Sequence, residues 1–449
     1  MKKYIKRDLE EKVLETLEAD FIAAILGARQ TGKTTLMAKL RDDFLKKGFL
    51  EDRVFSFNFD DVLLRQKIKA DFYFIRNTIE ARLNENLESL SSPIVIFIDE
   101  AQKVPEVFDL VKIIHDKFKK KVKIVLSGSA SLEIQKKSAE SLTGRISYLY
   151  LYPLSCGEIL KDRFSLKVKN GFFTSLAKGE ISYSFLKKQQ ALLIGNWERQ
   201  REFEQVLKKA MLDGGLPAVW TKPLDKNRVY KSFTETYLEK DIRSLEEIGS
   251  LEDFTRLLEV FSLEIGSMLN FSNLSQASGL AVNTLKKYQS ILVKSFVLNK
   301  LPPFLKKKRR TFVKSSKIYF FDVGIANFLA QREKYSHLVS SKTDGLVFEN
   351  FLVKSFEAYN ENLLRSCSLS FWRDYQGHEI DLVLARGEKL IPIEFTLADK
   401  VNSGKRRNFE YFFQNYPKAK TGFLVYTGGL EKTRIAGRPV FCLPWWLWW

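Results

Sequence analysis

Short apolar runs alternate with amphipathic stretches through the first third of the chain. Phe21 to Leu26, Ile94 to Ile98 and Val122 to Leu126 are nearly continuous apolar runs. Such runs are typical of strands that are buried on both faces of a parallel sheet. The stretch from Val107 to Phe118 instead repeats its apolar residues as one face of a helix does. Strands that alternate with helices in this way predict an α/β fold with a doubly wound parallel sheet.

The first apolar run leads into a loop, Gly27 to Thr34, with the phosphate-binding spacing G-x-x-x-x-G-K-[ST]. Its glycines let backbone N–H groups turn inward around phosphate oxygens, and the helix predicted from Lys33 to Lys46 directs its positive end at the same anion. Lys33 adds a charge beside the terminal phosphates, and Thr34 offers a hydroxyl to Mg²⁺. The residues that we expect to contact the nucleotide are Gly27, Gln30, Thr31, Gly32, Lys33, Thr34 and Thr35.

Two carboxylates, Asp99 and Glu100, follow the second apolar run directly. At the carboxyl end of a parallel strand, Asp99 can hold Mg²⁺ through water, and Glu100 can orient and deprotonate the attacking water. An acidic strand end can also cap a helix. Because the phosphate-binding Lys33 lies 66 residues upstream of Asp99, we favour the catalytic interpretation.

Two further candidate residues follow the third apolar run. Ser129 ends the segment Ser127-Gly128-Ser129, where a hydroxyl can sense the terminal phosphate, although a simple turn is an alternative. Arg145 is a candidate transition-state arginine that acts either on its own nucleotide or on that of a neighbouring subunit. The second alternative predicts a homo-oligomer of unspecified size.

Five segments occur in order within about residues 1–160: GARQTGKTT, IVIFIDEAQKVPEVFDLVK, IVLSGSASLEI, SLTGR and YLYPLSCGEIL. Together they resemble the ATP-binding half of a prokaryotic family that joins an AAA-type ATPase domain to a C-terminal domain of unknown function, DUF4143. The resemblance implies a P-loop AAA-type ATPase that uses ATP and Mg²⁺. In such an enzyme Lys33, Glu100 and Arg145 would be catalytic, and Thr34 and Asp99 would hold the metal ion.

After the ATPase domain at 1–160, we expect three further domains along the chain. They are a Lys-rich helical lid or linker at 161–245, a winged helix at 246–325 and a C-terminal domain at 326–449. In the winged helix, one helix begins at Ser272, Gly279 makes a tight turn, and a second helix begins near Asn283, which is a helix-turn-helix pattern.

The second of these helices separates polar from apolar residues as a DNA recognition helix does. A basic run at the tip of the hairpin that follows would form a wing suited to phosphates. The residues that we expect to contact DNA are Asn283, Lys286, Lys287, Lys306, Lys307, Lys308, Arg309 and Arg310. The alternatives are that the winged helix docks a protein and that the basic run is only solvated surface.

The C-terminal domain has acidic residues in an order typical of metal-dependent nucleases, with Asp381 on one predicted strand and Glu394 on the next. About residues 210–440 resemble the DUF4143 half of the family, which implies a restriction-endonuclease-like α/β fold that carries Glu349, Asp381 and Glu394. Thr396 stands where the motif has lysine, and a hydroxyl supplies no positive charge; Lys400 could replace it only with a rearranged backbone. We therefore favour an inactive, nuclease-like binding module over an active nuclease.

Composition narrows the partners and the compartment. Lys+Arg 73 against Asp+Glu 54 give a net charge of +19, which favours nucleic acid, and next an anionic membrane surface, unless the chain is simply lysine-rich throughout. Three dispersed cysteines argue against disulfides and zinc sites, so we expect a cytoplasmic protein. No apolar run approaches the roughly 18 residues of a transmembrane segment. The closing stretch Trp445 to Trp449 looks exposed and would suit docking.

Three functions are compatible with these features. The leading hypothesis is an ATPase that couples Mg-ATP hydrolysis to movement or remodelling of DNA held by the winged helix. The second is a nucleotide-gated switch that docks protein or RNA without motor activity. The third, which the missing lysine disfavours, is an ATP-regulated, metal-dependent nuclease.

Overall fold

The computed structural model describes residues 4–129, 140–166, 171–178, 181–194, 197–221, 225–238, 250–305, 315–362 and 367–448. The chain divides into two units. The N-terminal unit comprises Lys6–Tyr152 with Lys294–Phe296, and the C-terminal unit comprises Met1–Ile5, Pro153–Val293 and Val297–Trp449. The predicted wing residues Lys306, Lys307, Lys308, Arg309 and Arg310 lie outside the described residues.

The N-terminal unit alternates helices and strands. The helices are α1 (Leu9–Glu18), α2 (Lys33–Lys46), α3 (Val62–Ala70), α4 (Phe74–Leu83) and α5 (Val107–Phe118), and the strands are β1 (Ile22–Gly27), β2 (Val54–Asn58), β3 (Ile94–Asp99), β4 (Val122–Ser129) and β5 (Ile146–Tyr150). Among the described residues these five strands form one sheet in the order β2-β3-β4-β1-β5, and every neighbouring pair is parallel. The predicted α/β fold with a parallel sheet is confirmed.

Helices cover both faces of this sheet. Alternate side chains of each strand point to opposite faces, so each strand contributes to two cores. Ile22, Ala24 and Leu26 belong to a core that includes the apolar face of α5. Ala23 and Ile25 belong to a second core, with α1 and α2. The central strands therefore need apolar residues at every position, which explains their continuous apolar runs.

The helices that follow along the chain are α6 (Cys156–Phe164), α7 (Gly171–Lys178), α8 (Tyr183–Leu193), α9 (Trp197–Asp213), α10 (Pro217–Thr221), α11 (Lys226–Thr236), α12 (Leu251–Leu263), α13 (Phe271–Ser278), α14 (Val282–Lys294), α15 (Val323–Leu329), α16 (Tyr335–Ser340), α17 (Asp344–Asn362) and α18 (Ser403–Asn415). The strands are β6 (Leu298–Leu301), β7 (Lys317–Phe320), β8 (Ser368–Arg373), β9 (Glu379–Arg386), β10 (Lys389–Phe395), β11 (Gly422–Tyr426), β12 (Glu431–Ile435) and β13 (Arg438–Pro444).

Six described strands of the C-terminal unit form a mixed sheet in the order β12-β13-β11-β10-β9-β8. The strands β8, β9 and β10 form an antiparallel meander, whereas β10, β11 and β13 are parallel neighbours. Helix α18 connects β10 to β11 and buries Phe409, Phe412 and Phe413 in the core with Leu424 of β11. A parallel β10–β11 pair requires such a crossover helix.

A helix-turn-helix lies between α12 and the hairpin β6–β7. Asn270 caps α13 by accepting the backbone N–H groups of Ser272 and Asn273, and Gly279 ends that helix with a φ of 72°, which favours glycine. Strand β7 pairs antiparallel with β6, and Lys317 of β7 also forms a bridge with Met268, ahead of α13. Three segments therefore meet beside the two helices.

The tryptophan-rich end of the chain is buried, so the expectation of an exposed docking segment is wrong for Trp445 to Trp448. The Trp448 ring lies 5.5 Å from that of Phe356 on α17 and 5.6 Å from that of Phe395 on β10, measured between ring centroids. Its indole Nε1–H donates to the carbonyl oxygen of Leu352 at 3.1 Å. Aromatic side chains bury large apolar areas once the indole N–H has an acceptor, and α17 supplies that acceptor.

None of the helices in the described ranges combines the length and the apolar character that crossing a bilayer requires.

Candidate functional site

The loop between β1 and α2 has a backbone that requires its glycines. A Cβ atom on Gly27 would lie 2.3 Å from the carbonyl oxygen of Leu151, so any side chain there would force the backbone apart. Gly32 caps α2 with a φ of 97°, which only glycine adopts without strain. The loop continues directly into the fourteen-residue helix α2. The first backbone N–H groups of a helix have no intrahelical hydrogen-bond acceptors.

Side chains of the same loop divide into an inward and an outward group. Thr31 is fully buried, and its hydroxyl donates to the carbonyl oxygen of Ala28 at 2.9 Å. The Lys33 ammonium donates to the carbonyl oxygens of Gly27 and Ala28, at 2.9 and 3.0 Å. Thr34 and Thr35 are exposed at the start of α2, and Gln30 is half-buried. Lys33 thus spans the concave side of the loop, where a phosphate group would compete with the two carbonyls for its ammonium.

Asp99 and Glu100 lie at the same edge of the sheet as this loop. The register pairs Leu26 with Gly128 and Ile98 with Leu126, so β1, β4 and β3 end side by side. Asp99 is buried, and its Oδ1 accepts the backbone N–H of Glu100 at 3.1 Å. The arrangement brings a carboxylate close to the loop on which a metal-bound triphosphate would lie.

The hydroxyl that contacts Asp99 belongs to Ser127, which donates to Asp99 Oδ1 from the neighbouring strand. Ser129, the residue expected from the sequence to sense the terminal phosphate, ends β4 opposite Gly27. Both serines follow the same apolar run of the sequence. The sequence therefore indicated the right segment but not which of the two hydroxyls meets the acid.

Glu100 is held by a side chain that sequence reasoning missed. Its Oε2 accepts the Gln102 amide Nε2–H at 2.6 Å, and its backbone has a φ of 57°, an uncommon conformation for a residue with a side chain. Backbone strain of this kind persists only where the surroundings enforce it, and it is frequent at functional sites. The segment Asp99-Glu100-Ala101-Gln102 offered the only signal, a second polar residue two positions after the acid.

A second residue that sequence reasoning missed is Arg7, which forms hydrogen bonds with the backbone of the phosphate loop. The buried guanidinium donates from Nη1 to the carbonyl oxygen of Thr31 at 3.0 Å and from Nη2 to that of Tyr152 at 2.6 Å. It therefore ties the loop to the segment that follows β5. Its distance of 24 residues from Thr31 in the chain hid this contact from sequence analysis.

On the expectation from the sequence that this loop binds ATP, replacing Arg7 with methionine should weaken ATP binding by about tenfold, because the buried carbonyl of Thr31 loses a charged donor. The apparent Michaelis constant for ATP should rise more than the turnover number falls, since Arg7 touches the loop and not the reacting groups. Lys6→Met is the matched control, because Lys6 is the exposed neighbour. Equal Michaelis constants for the two variants would contradict a role in positioning the loop.

Arg145 lies at the other end of the sheet. The backbone N–H of Ile22, the first residue of β1, donates to the Arg145 carbonyl at 2.8 Å, whereas the phosphate loop leaves the last residue of β1. A strand of this length spans about 17–20 Å. The Arg145 backbone therefore lies at the opposite edge of the sheet from the phosphate loop, which favours action on a neighbouring subunit. The role of Arg145 stays a prediction.

The Arg145 guanidinium forms a bidentate pair with Asp116, with Nη2 at 3.0 Å from Oδ2 and Nε bonded to Oδ1. This hydrogen bonding lowers the pKa of Asp116 and raises that of Arg145. The pair lies partly exposed at the surface, so a partner that engaged Arg145 would first have to separate it from Asp116.

The residues predicted to contact DNA lie on the exposed side of α14 as far as the structure describes them. Asn283, Lys286 and Lys287 are exposed, while Leu285 and Tyr288 of the same helix are buried. Lys286 Nζ lies 5.7 Å from the centre of the Phe271 ring on α13. The polar side of α14 is thus exposed to solvent, and its apolar side is buried.

The three acidic residues predicted in the C-terminal domain come together in one buried group. Lys405 Nζ lies 2.8 Å from Asp381 Oδ2 and also contacts Glu394, and Lys317 Nζ lies 2.7 Å from Glu349 Oε1. Sequence reasoning missed both lysines, and the nearby Lys400 is exposed instead. Asp381 and Glu394 therefore do have a lysine neighbour, but this lysine lies on α18 and not at the position of Thr396.

Burial and mutual contact set the proton affinities in this group. Burial raises the pKa of Glu349 to about 7 against the opposing effect of Lys317. Burial, and next the neighbouring Asp381, also raise the pKa of Glu394 well above its ordinary value. Burial acts in the same direction on Asp381, but the ammonium groups of Lys405 and Lys317 outweigh it and hold the Asp381 pKa below its ordinary range.

Models of three protein families match successive parts of the chain. An AAA domain matches residues 19–160, the domain of unknown function DUF8612 matches residues 204–336, and the domain of unknown function DUF4143 matches residues 344–448. The first match contains the phosphate loop, Asp99 and Glu100, and the third contains Glu349, Asp381, Glu394 and Lys405.

Curated relatives extend over most of the chain at low identity, and they are themselves uncharacterized. A protein of Mycobacterium tuberculosis is 22% identical over 84% of this chain and 70% of its own length. A protein of Haemophilus influenzae is 20% identical over 97% of this chain and 96% of its own length. A protein of Methanocaldococcus jannaschii is 24% identical over 99% of this chain and 91% of its own length.

Solved structures similar to this chain superpose with low scores. AMPPCP-bound DnaA from Aquifex aeolicus has a TM-score of 0.25 at 17% identity and covers 65% of this chain and 90% of its own. C. elegans PCH-2 has a TM-score of 0.25 at 12% identity and covers 36% of this chain. A signal transduction ATPase from Pyrococcus horikoshii has 0.26 at 13% identity over 81% of this chain. The match spans only 47% and 50% of the last two structures, and likeness at these scores carries no argument.

Proposed function

Because this chain belongs to the family that joins an AAA domain to a DUF4143 domain, we propose that its N-terminal unit binds ATP with Mg²⁺ and hydrolyses it. The observation that supports this proposal most strongly is the common edge of β1, β3 and β4. There a glycine-dependent loop that continues into a helix lies beside Asp99 and Glu100.

In this proposal the loop and the first turn of α2 bind the phosphates through backbone N–H groups, with contributions from Gln30, Thr31 and Thr35. Lys33 leaves the carbonyls of Gly27 and Ala28 and moves onto the terminal phosphates. Thr34 and Asp99 hold Mg²⁺, the metal expected with a nucleoside triphosphate.

Glu100 would then take a proton from the water whose oxygen attacks the terminal phosphorus, while the bond from that phosphorus to the ADP oxygen breaks. The Glu100 carboxylate would either release the Gln102 amide or keep that hydrogen bond on one oxygen and accept the proton on the other. Ser127 keeps Asp99 in one orientation. We assign the Ser129 hydroxyl to the terminal phosphate because the backbone of Ser129 ends β4 opposite Gly27. Arg145 of a neighbouring subunit would supply charge in the transition state, which makes a homo-oligomer part of the proposal.

The direct test is release of inorganic phosphate from ATP by the purified full chain, with Mg²⁺ and with excess chelator. We expect hydrolysis that requires Mg²⁺ and a measurable affinity for ATP in the absence of hydrolysis. Failure to bind ATP in the presence of Mg²⁺, by calorimetry or by displacement of a fluorescent nucleotide, would remove the proposal.

We further propose that α13, α14 and the hairpin β6–β7 form a winged helix that contacts DNA. The support is the order of elements, a three-helix group followed by a hairpin, together with the bridge from Met268 to Lys317 that adds a third segment to the hairpin. The exposed Asn283, Lys286 and Lys287 lie on the helix that would enter a groove. The net charge of +19 adds attraction that is independent of sequence.

Changing Lys286 and Lys287 together to alanine should weaken duplex DNA binding and reduce the slope of log affinity against log salt by about 1–2, since each lysine on a phosphate releases about one counterion. Fluorescence anisotropy at several salt concentrations measures both quantities. The control is the double change of the exposed Lys334 and Lys342 to alanine, which removes the same charge elsewhere. Identical slopes for the two variants would favour the alternative, a nucleotide-gated module that docks protein.

A further inference from the structure

The C-terminal unit gathers four carboxylates and two lysines into one group, which we call the lysine–carboxylate cluster. Its members are Lys317 on β7, Glu349 on α17, Glu379 and Asp381 on β9, Glu394 on β10 and Lys405 on α18. Glu394 is fully buried, and Lys317, Glu349 and Asp381 are nearly so. Charged groups at this depth are stable only when they are paired.

Lys405 neutralises one half of the cluster. Its Nζ donates to Asp381 Oδ2 at 2.8 Å and to Glu394 Oε2. The backbone N–H of Phe395 donates to the same Asp381 oxygen at 2.8 Å, and Asn408 Nδ2 donates to Glu394 Oε1 at 2.8 Å. Both oxygens of Glu394 and one oxygen of Asp381 are therefore already accepting protein donors.

Lys317 neutralises the other half. Its Nζ lies 2.7 Å from Glu349 Oε1, 2.6 Å from Glu379 Oε1 and 3.8 Å from Asp381 Oδ1. The Tyr319 hydroxyl donates to the same Glu349 oxygen at 2.5 Å. One ammonium thus faces three carboxylates from two different elements, which is the coordination expected of a bound cation.

A divalent cation in this position would need carboxylate oxygens that are free to coordinate it, with room for water or a phosphate oxygen on its open side. Both oxygens of Glu394 and the Oδ2 atom of Asp381 carry hydrogen bonds from Lys405, Phe395 and Asn408. Over the described ranges no group of three or more His, Cys, Asp or Glu side chains is arranged to hold a metal ion. The donor set therefore does not fit a metal while Lys405 is in place.

The protonation equilibria of the cluster agree with this conclusion. Burial would lower the pKa values of Lys317 and Lys405, but the surrounding carboxylates raise both, so the two lysines stay charged. Glu349, whose pKa burial raises to about 7, and Glu394 bind a proton more readily than an ordinary glutamate. The two ammonium groups therefore offset part of the negative charge that four neighbouring carboxylates can carry.

We propose that Lys317 and Lys405 take the places of divalent cations in a nuclease-like centre. The cluster is then a metal-free joint that fixes the hairpin strand β7 and the helices α17 and α18 to the sheet. In this form the C-terminal unit does not cleave a phosphodiester. The proposal is independent of ATP hydrolysis, because none of its residues belongs to the N-terminal unit.

The test counts bound Mn²⁺ by the electron paramagnetic resonance signal of the free ion, using the full chain without nucleotide. Every sample carries Asp99→Asn, so that the proposed Mg²⁺ site of the N-terminal unit does not contribute. We expect this background protein to bind no Mn²⁺ that depends on Asp381. Lys405→Ala should gain about one Mn²⁺ per chain, because it leaves two buried carboxylates without their cation.

Two controls locate the gained ion. Lys405→Ala combined with Asp381→Asn should lose it, and Lys400→Ala, which removes an exposed lysine from the same segment, should not gain it. If Lys405→Ala does not fold, Lys405→Gln replaces it, because the amide still donates to a carboxylate but carries no charge.

Three outcomes would overturn the proposal. The first is Mn²⁺ binding by the background protein that Asp381→Asn abolishes. The second is a folded Lys405 variant, alanine or glutamine, that gains no ion. The third is nicking of plasmid DNA by the wild-type chain with Mg²⁺ or Mn²⁺ that Asp381→Asn abolishes, which would make the cluster an active nuclease centre. The first and third outcomes need no Lys405 variant, so they decide the question even if none folds.

Discussion

Changing Glu100 to glutamine is expected to slow ATP hydrolysis by about 10²–10⁴-fold while ATP still binds. The amide keeps the size of the side chain and its contact with Gln102, but it accepts no proton from the attacking water. Binding is retained because the phosphates are held by the loop and by Lys33. The variant should therefore accumulate the ATP complex, which single-turnover hydrolysis and a parallel binding titration would detect.

The matched control for this variant is Glu106→Gln, because Glu106 is an exposed glutamate just ahead of α5. It should hydrolyse ATP at the wild-type rate. Normal ATP turnover by the Glu100 variant would mean that another group acts as the general base. Loss of ATP binding together with turnover would mean that Glu100 supports the site and does not take part in the chemistry.

Changing Lys33 to alanine is expected to weaken ATP binding by about 10- to 100-fold, the effect of losing a hydrogen bond to a charged group. Hydrolysis should also fall at saturating ATP, because the ammonium stabilises charge on the transferring phosphate. The loop should keep its shape, since Gly27, Gly32 and the Thr31–Ala28 bond do not depend on Lys33. Calorimetry with a non-hydrolysable ATP analogue measures the first effect, and phosphate release measures the second.

Lys46→Ala, at the exposed far end of α2, removes the same charge from the same helix and serves as the control. Only the Lys33 change should affect the nucleotide. If both variants bind ATP as the wild type does, the loop is not the nucleotide site, and the role of Asp99 and Glu100 would have to be explained without a triphosphate.

The phosphate loop was predictable because its residues are consecutive in the sequence. Gly27 to Thr34 is one continuous segment, and its conformation depends on glycine φ angles and on a helix that starts within it. Asp99 was found from the apolar run before it, since buried parallel strands end at a common edge. The fold of the N-terminal unit followed from the same runs.

Contacts between distant segments were not predictable. Arg7 and Lys405 had no motif to mark them, and nothing in the sequence distinguished Ser127 from Ser129 as the partner of Asp99. Arg145 was a candidate transition-state arginine, yet the register of β5 against β1 places it at the opposite edge of the sheet from its own phosphate loop. Trp448 was misassigned because it packs against α17 and β10, and both elements are remote from it in the sequence.

The sequence by itself therefore determines the features that depend on neighbouring residues. Glycine positions, helix starts and the apolar runs of buried strands identify a phosphate loop, two acidic residues and a parallel sheet. Folding alone settles which charges meet. An unpaired buried carboxylate costs free energy of folding, so Asp381 and Glu394 need a neighbouring cation. The packing of α18 against β9 and β10 decides which cation reaches them, and that cation is Lys405.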